Sequence, residues 1–379
     1  MPSKTSLQFE TLSVHAGHAI DSGSGDVSPA VHLATTYERA KDGSFAFGYS
    51  YIREDNPTRK ALESCIAALE GGGAAVAFAS GAAASFAVFS LVQPGAHVLA
   101  PRESYHGTAK QLSEVLAGYG VGCTFIDMTD IAAVRAAMNP TVKLVWIETP
   151  SNPMLNLSDI GAISALAHDH GALVCCDNTF ATPVLQRPFE LGADIVMHSS
   201  TKYFGGHSDA MGGAVVVNDA SLEKRLRMYQ STAGGVPAPF DCWLIRRSLA
   251  TLKLRVQAQS QSALQIANYL ATHPRVERVY YPGLASHPGH SLARQQMPHG
   301  CGGVLSFGVR GDKKLAFAVA AKLELFTRAT SLGGVESLIE HRASIEGPHS
   351  VTPQNLLRLS IGLEHVDDLI RDLEQALQA

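Results

Sequence analysis

The sequence predicts an α/β fold: a mainly parallel central sheet with helices on both faces, plus a smaller C-terminal α+β domain. Three observations point to it. Between residues 75 and 217, seven short runs apolar on both faces alternate with helical stretches, as in a parallel sheet covered on both sides. Near residue 240 that rhythm gives way to a long helical pattern and then to alternating strands. Of 379 residues, 46% are hydrophobic and 17% charged, enough for a sizeable core and too little charge for a disordered chain. The expected organisation is an N-terminal arm over 1–50, a large α/β domain over 51–245 and a C-terminal α+β domain over 246–379.

Residues 1–50 are rich in Gly, Ser and Thr and show little apolar periodicity, so they read as loop. Asn56-Pro57 is a helix start, a capping side chain followed by proline at the first helical position. Leu62, Cys65, Ile66 and Leu69 then form one stripe, and Gly71-Gly72-Gly73 stops the helix. The strand candidates are 75–79, 97–100, 123–126, 144–147, 173–176, 195–197 and 214–217. Residues 240–273 read as one long helix, without internal Gly or Pro. A short strand at 276–281 ends at Pro282-Gly283, and 303–309 alternates like a half-buried strand. Residues 366–377 form an amphipathic terminal helix.

The formal net charge of −4 carries no basic excess for nucleic acid or an anionic membrane. No segment approaches the roughly 18 apolar residues of a membrane helix. The opening MPSKTSLQFETLSVHAGH has no apolar run for a signal peptide, so a cytoplasmic location is expected. The six cysteines form no C-x-x-C, and reduced thiols are expected. Cys175 and Cys176 are neighbours in one strand candidate and should point to opposite faces. The pairs His15/His18, His168/His170 and His287/His290 lack carboxylate or thiol ligands at suitable spacing, so no metal is expected. Glycine is abundant, 34 residues, and its positions matter below.

In open α/β sheets, ligands sit beyond the carboxyl ends of the strands. Five strand ends here carry polar groups that a core would not choose. Ser80-Gly81 opens a helix whose backbone N–H groups could hold an anion, although an ordinary βα turn looks the same. PRESYHGT begins at Pro101, and Glu148 to Pro153 reads ETPSNP. Asp177 ends the run LVCCD, where a carboxylate could pair with a protonated ring nitrogen or simply cap a helix. Ser199 and Thr201 flank Lys202 closely: two hydroxyls suited to a phosphate beside an amine nucleophile. A Schiff-base lysine, an acid for a pyridinium nitrogen and a phosphate cup together match a pyridoxal 5'-phosphate site. No G-x-x-x-x-G-K-[ST] and no G-x-G-x-x-G after the first strand supports a P-loop or a Rossmann site.

HSSTKYFGGHSD (198–209), DNTFATP (177–183), ETPSNP (148–153) and SLGGVESL (331–338) resemble the Cys/Met-metabolism family of pyridoxal phosphate enzymes. That family includes cystathionine γ-synthases, γ-lyases and β-lyases and their sulfhydrylase relatives. The resemblance runs from SVHAGH near residue 13 to LRLSIGLE at 357–364 and implies a fold-type I transferase architecture. It implies that Lys202 forms the internal aldimine and shuttles protons through a quinonoid stage. Asp177 would pair with the pyridine nitrogen, Thr179 lie on one ring face and Tyr105 stack on the other. Gly81 and Ala82 would donate backbone N–H groups to the phosphate, helped by Ser199 and Thr201. Asn152 and Arg358 would hold the substrate α-carboxylate, and Ser331 would steady the lysine. Tyr51 and Arg53, in YIREDNPT, would reach the phosphate of a neighbouring subunit. The implied assembly is a homo-oligomer, a tetramer built as a dimer of dimers, acting on a small amino-acid substrate. Tyr105 or Tyr51 would act as acid or base near the leaving group.

GGVPAPFDCWLIRRSLATL (234–252) is similar to the γ-synthase and γ-lyase branch, which implies action at Cγ of cystathionine or an O-acylhomoserine. A β-lyase or an O-acylhomoserine sulfhydrylase uses the same cofactor. Thr330 stands where γ-synthases and γ-lyases commonly carry Glu, and Gly107 where methionine γ-lyases carry Cys. Lys110 stands where γ-lyases often have Arg. Where the family usually reads like HPASMTH, this chain has EHRASIEGPHS (340–350), adding Arg342 and Glu346 near the pocket.

Overall fold

A computed structural model describes residues 7–21, 23–346 and 351–378. Seven strands follow in chain order: β1 Ala74–Phe78, β2 His97–Pro101, β3 Gly122–Ile126, β4 Val142–Glu148, β5 Leu173–Asp177, β6 Ile195–His198 and β7 Gly213–Val217. They form one sheet in the order β1-β7-β6-β5-β4-β2-β3. β2 to β6 pair in parallel, whereas β7 lies antiparallel to both β1 and β6. β1 to β6 therefore end at one edge of the sheet, and the start of β7 lies there too. Five further strands, β8 Val276–Tyr280, β9 Val304–Val309, β10 Thr327–Arg328, β11 Leu338–Glu340 and β12 Leu356–Ser360, make a second sheet. Its order is β10-β11-β12-β9-β8.

The apolar runs become strands because both of their faces are covered. Val76 and Phe78 of β1 pack with the helix Gly81–Phe89, while Ala75 and Ala77 face the helices Pro57–Glu70 and Pro239–Leu249. Cys175 and Cys176 divide the same way, one beside Trp146 and the other beside Ile147. Asn56 caps the helix Pro57–Glu70 by accepting from Thr58 N and Arg59 N, and Gly71 closes it in the left-handed conformation. No helix among the described residues is long and apolar enough to cross a membrane.

Three sequence readings are corrected. Residues 240–273 are two helices, Pro239–Leu249 and Leu252–Thr272. Hydroxyls and a guanidinium compete for carbonyls at the break. Thr251 Oγ1 donates to Ser248 O (3.2 Å), and Arg255 Nη2 donates to the same carbonyl (2.9 Å). β9 is buried on both faces rather than half-buried. Its polar face lies against the loop after β4, where Ser306 Oγ donates to Pro153 O (2.7 Å). The loop expected over 1–50 contains the helix Phe9–His15. Arg246 donates to the carbonyls of Ser13 and Val14 at its C-terminal end, and Lys253 pairs with Glu10. A three-residue strand such as β11 carries too few residues for a periodic signal.

Candidate active site

The ends of β1, β2, β4, β5 and β6, with the segment before β7 and with β12 of the second sheet, contribute to a cavity of about 430 Å³. After β1, Ser80 accepts from Ala83 N and starts the helix Gly81–Phe89. The first N–H groups of this helix have no intrahelical acceptor, which makes its N-terminus a place for an anion. Gly81 is required here. A Cβ would lie 2.7 Å from Ser199 Oγ and 3.1 Å from Ser199 Cα, so only glycine lets the helix start reach the residue after β6. Ser199 and Thr201 line the same end of the cavity. Thr201 Oγ1 is fixed between the carbonyl (3.1 Å) and N–H (3.0 Å) of Gly212.

Asp177, at the end of β5, has one carboxylate oxygen secured. Oδ1 accepts from Thr179 N (3.0 Å) and Thr179 Oγ1 (2.5 Å), while Ser199 N donates to that same hydroxyl (2.9 Å). Oδ2 accepts from no donor among the described residues. Burial raises the Asp177 pKa and the Thr179 hydrogen bonds oppose it. Its cross-strand neighbour Glu148 is pushed up strongly by burial and by the Asp177 charge, although it accepts from Tyr105 N (2.8 Å). A buried carboxylate in this state is stabilised by a cation facing it from the cavity. Tyr105 is 43% exposed and lines the cavity.

Lys202 lies in the turn after β6, closed by Gly206 N donating to Lys202 O (2.7 Å). Its Nζ donates to Ser331 Oγ (2.8 Å). Burial, with Arg358 next in weight, lowers its pKa to about 8. Ser331 sits at φ 88°, in the left-handed region that non-glycine residues rarely occupy, at a cost of about 1–2 kcal/mol. Two contacts hold it there: the lysine on its hydroxyl, and Arg358 Nη2 on its carbonyl (2.8 Å).

Arg358, on β12, reaches the cavity from the second sheet. Nη1 donates to Asn152 Oδ1 (3.0 Å), and Nη2 also donates to Glu340 Oε2 (2.7 Å). Among the described residues its Nε is buried without a partner. An unmatched donor on a buried guanidinium is costly and suits an incoming carboxylate. Glu340 is its cross-strand partner on β11. Sequence reasoning assigned no role to Glu340, because that pairing becomes visible only when β11 and β12 lie side by side. His106 was also missed. It lines the cavity with Nδ1 buried and, among the described residues, unpartnered, and burial, then Arg342, lowers its pKa.

Of the site residues read from sequence, the fold gathers Gly81, Ala82, Tyr105, Asn152, Asp177, Thr179, Ser199, Thr201, Lys202, Ser331 and Arg358 around this one cavity. Tyr51 and Arg53 are not among its lining residues. Tyr51 is 45% exposed, and Arg53 Nη1 donates to Ser231 O (2.6 Å) and pairs with Glu54. Thr330 and Arg342 line the cavity, while residues 347–350 of the EHRASIEGPHS segment lie outside the described residues.

Fold and site together define an α/β enzyme built to hold a phosphorylated cofactor against an amine nucleophile. The family model for Cys/Met metabolism PLP-dependent enzymes matches residues 10–378. A cystathionine gamma-synthase of Mycobacterium bovis is 46% identical over 97% of this chain and 96% of its own. A cystathionine beta-lyase of Coxiella burnetii is 43% identical over 97% of each chain. The crystal structure of a cystathionine gamma lyase from Micromonospora echinospora superimposes with a TM-score of 0.94 at 42% identity, covering 98% of this chain and all of that one. The chain belongs to the Cys/Met metabolism family of pyridoxal-phosphate-dependent enzymes. The residues present fit that cofactor: a glycine-opened helix start for the phosphate, a free carboxylate oxygen on Asp177 for a ring N–H, and a lysine amine of lowered pKa.

Proposed function

We propose that the chain is a trans-sulfuration enzyme acting at Cγ of cystathionine or an O-acylhomoserine, of the γ-synthase or γ-lyase type. The observation that carries the Cγ reading is the 46% identity, nearly end to end, with a protein named cystathionine gamma-synthase. Pyridoxal phosphate, when bound, supplies an electron sink for charge developing on the substrate. The N–H groups of Gly81 and Ala82, with the Ser199 and Thr201 hydroxyls, would hold its phosphate. Asp177 would keep the ring nitrogen protonated and so stabilise charge electrostatically. Thr179 and the Tyr105 ring would pack against the ring and exclude water.

Arg358 and Asn152 hold the substrate α-carboxylate, with the Arg358 Nε donor as the vacant partner. Lys202 Nζ would hold the cofactor and, once freed by the substrate amine, would serve as the base for the Cα proton. Ser331 Oγ, 2.8 Å away, keeps Nζ in place for that transfer. Action at Cγ requires a second proton, from Cβ, and Lys202 would take it too after passing the first proton on, as a shuttle rather than a store. Tyr105 stands at the cavity wall as acid or base toward the leaving group. Tyr51 and Arg53 serve the phosphate of a neighbouring subunit, which accounts for their exposure and makes the working unit a homo-oligomer, a tetramer of paired dimers. The arm over 1–50, the large domain over 51–245 and the C-terminal domain over 246–379 are the units this reading uses.

A second reading, β-lyase or O-acylhomoserine sulfhydrylase, rests on Thr330. This residue lines the cavity where γ-enzymes commonly place Glu, and a relative named beta-lyase is 43% identical. Incubation with cystathionine separates the γ-enzyme from the β-lyase, and an O-acylhomoserine with sulfide, yielding homocysteine, marks a sulfhydrylase. 2-Oxobutanoate marks cleavage at Cγ, and pyruvate marks cleavage at Cβ. O-Succinyl- or O-acetylhomoserine with cysteine yields cystathionine if the enzyme is a synthase. Pyruvate alone, with no product from either ester, overturns the Cγ reading.

A further inference from the structure

Arg342 departs from the family pattern quoted above, and the structure ties it to the residue expected to bind substrate. Glu340 Oε2 accepts from two arginines at once, Arg342 Nη1 (2.9 Å) and Arg358 Nη2 (2.7 Å). All three residues are buried: Glu340 is 6% exposed, Arg342 4% and Arg358 3%. Arg342 Nε also donates to Glu346 Oε1 (3.2 Å). Among the described residues, neither Glu340 Oε1 nor Arg358 Nε has a partner.

A buried carboxylate beside Arg358 works against a second carboxylate arriving on the same guanidinium, because little water screens the repulsion. Arg342 places a further positive charge on the same Glu340 oxygen. We propose that Arg342 is a positioning residue for substrate carboxylate binding: it offsets the Glu340 charge, and so leaves Arg358 free to take the substrate α-carboxylate through its vacant Nε side. The inference rests on the reading of Arg358 given above. Arg342 also lines the cavity, and on this proposal it acts through Glu340 rather than on the α-carboxylate itself.

The test measures butanoate binding to the holoenzyme by isothermal titration calorimetry, which needs no turnover. Butanoate carries the carboxylate without the amine or a leaving group. Arg342→Ala should weaken binding about tenfold, in the range of a lost charge-assisted interaction. Arg342→Lys keeps the charge and should stay within about threefold of wild type. The decisive variant is Arg342→Ala combined with Glu340→Gln. With the Glu340 charge gone, Arg342 is no longer needed and binding should return close to the wild-type value. A merely structural role for Arg342 would not be rescued this way.

With any substrate the enzyme accepts, Arg342→Ala should raise KM about tenfold and leave kcat within about twofold. Wild-type binding by Arg342→Ala, or a double variant as weak as the single one, overturns the proposal. Arg358→Ala separates the two levels of the argument. If it weakens butanoate binding while Arg342→Ala does not, only the role of Arg342 falls. If Arg358→Ala binds butanoate normally, the reading of Arg358 falls and this inference with it.

Discussion

Lys202 Nζ is 2.8 Å from Ser331 Oγ, and burial beside Arg358 brings its pKa to about 8 from the ordinary lysine value near 10.5. The charged amine is the form that burial disfavours, so the neutral form predominates above about pH 8. Cofactor loading requires the neutral amine. The rate at which cofactor-free protein regains its visible absorbance on adding pyridoxal phosphate should rise with pH and level off above about 8, well before an unperturbed lysine would. Lys202→Ala should never acquire that absorbance. A rate still climbing at pH 10 would contradict the lowered pKa. Gly81 gives a second test at this scale. Gly81→Ala puts a methyl group 2.7 Å from Ser199 Oγ and 3.1 Å from its Cα, and backbone must move. We expect cofactor retention to weaken about tenfold in an equilibrium titration, with the thermal midpoint of the cofactor-free protein little changed. Most of the layer around the cavity was legible in the sequence, because Asp177 ends a strand and Gly81 and Lys202 come within four residues of one. Glu340 and His106 were not. Glu340 matters through a partner eighteen positions away in sequence, and that partner is fixed only by the pairing of β11 with β12.

At the scale of elements, legibility follows from how each element is buried. β1, β2 and β4 to β7 are covered on both faces, so their apolar runs stand out from flanking polar turns. The break between Pro239–Leu249 and Leu252–Thr272 was hidden, because it contains neither Gly nor Pro. Arg255 Nη2 makes it by reaching back to the Ser248 carbonyl. β9 looked half-buried because its second face packs on the loop after β4, a contact between distant segments. The helix Pro57–Glu70 was legible from its start. Asn56 there does more than cap: its amide also donates to His32 O (2.8 Å) and Tyr37 Oη (3.2 Å). Asn56→Ala removes the cap on Thr58 N and Arg59 N together with both ties to the preceding segment. A loss of roughly 2 kcal/mol is expected, read as a thermal midpoint lower by about 2–4 °C. Asn56→Asp keeps the cap but loses the two donors, and should fall between.

At the scale of the whole molecule, the segment before β1 is the part least accounted for by a single chain. Val27 is 72% exposed, Leu33 67% and Phe47 72%, and Tyr51 and Arg53 follow at the surface rather than in the cavity of their own chain. Exposed apolar side chains in such number along one segment mark a surface that another molecule covers. Under the proposed assembly that molecule would be a second copy of this chain, whose phosphate site Tyr51 and Arg53 would complete. Arg53→Ala tests this because, among the described residues of its own chain, Arg53 makes an exposed pair with Glu54, a bond to Ser231 O and a loose contact with the Tyr51 ring. Those contacts contribute little to stability, so the thermal midpoint of the cofactor-free protein should hold. The cofactor dissociation constant, by contrast, should rise about tenfold or more, since a charge-assisted phosphate contact is lost. Sedimentation velocity on the same samples links the effect to assembly. Wild type should sediment as an oligomer across the micromolar range, and dilution toward monomer should release cofactor in step with dissociation. A monomer that keeps its cofactor as tightly as the oligomer, or an Arg53→Ala variant with unchanged cofactor affinity, would mean that each chain holds a complete site.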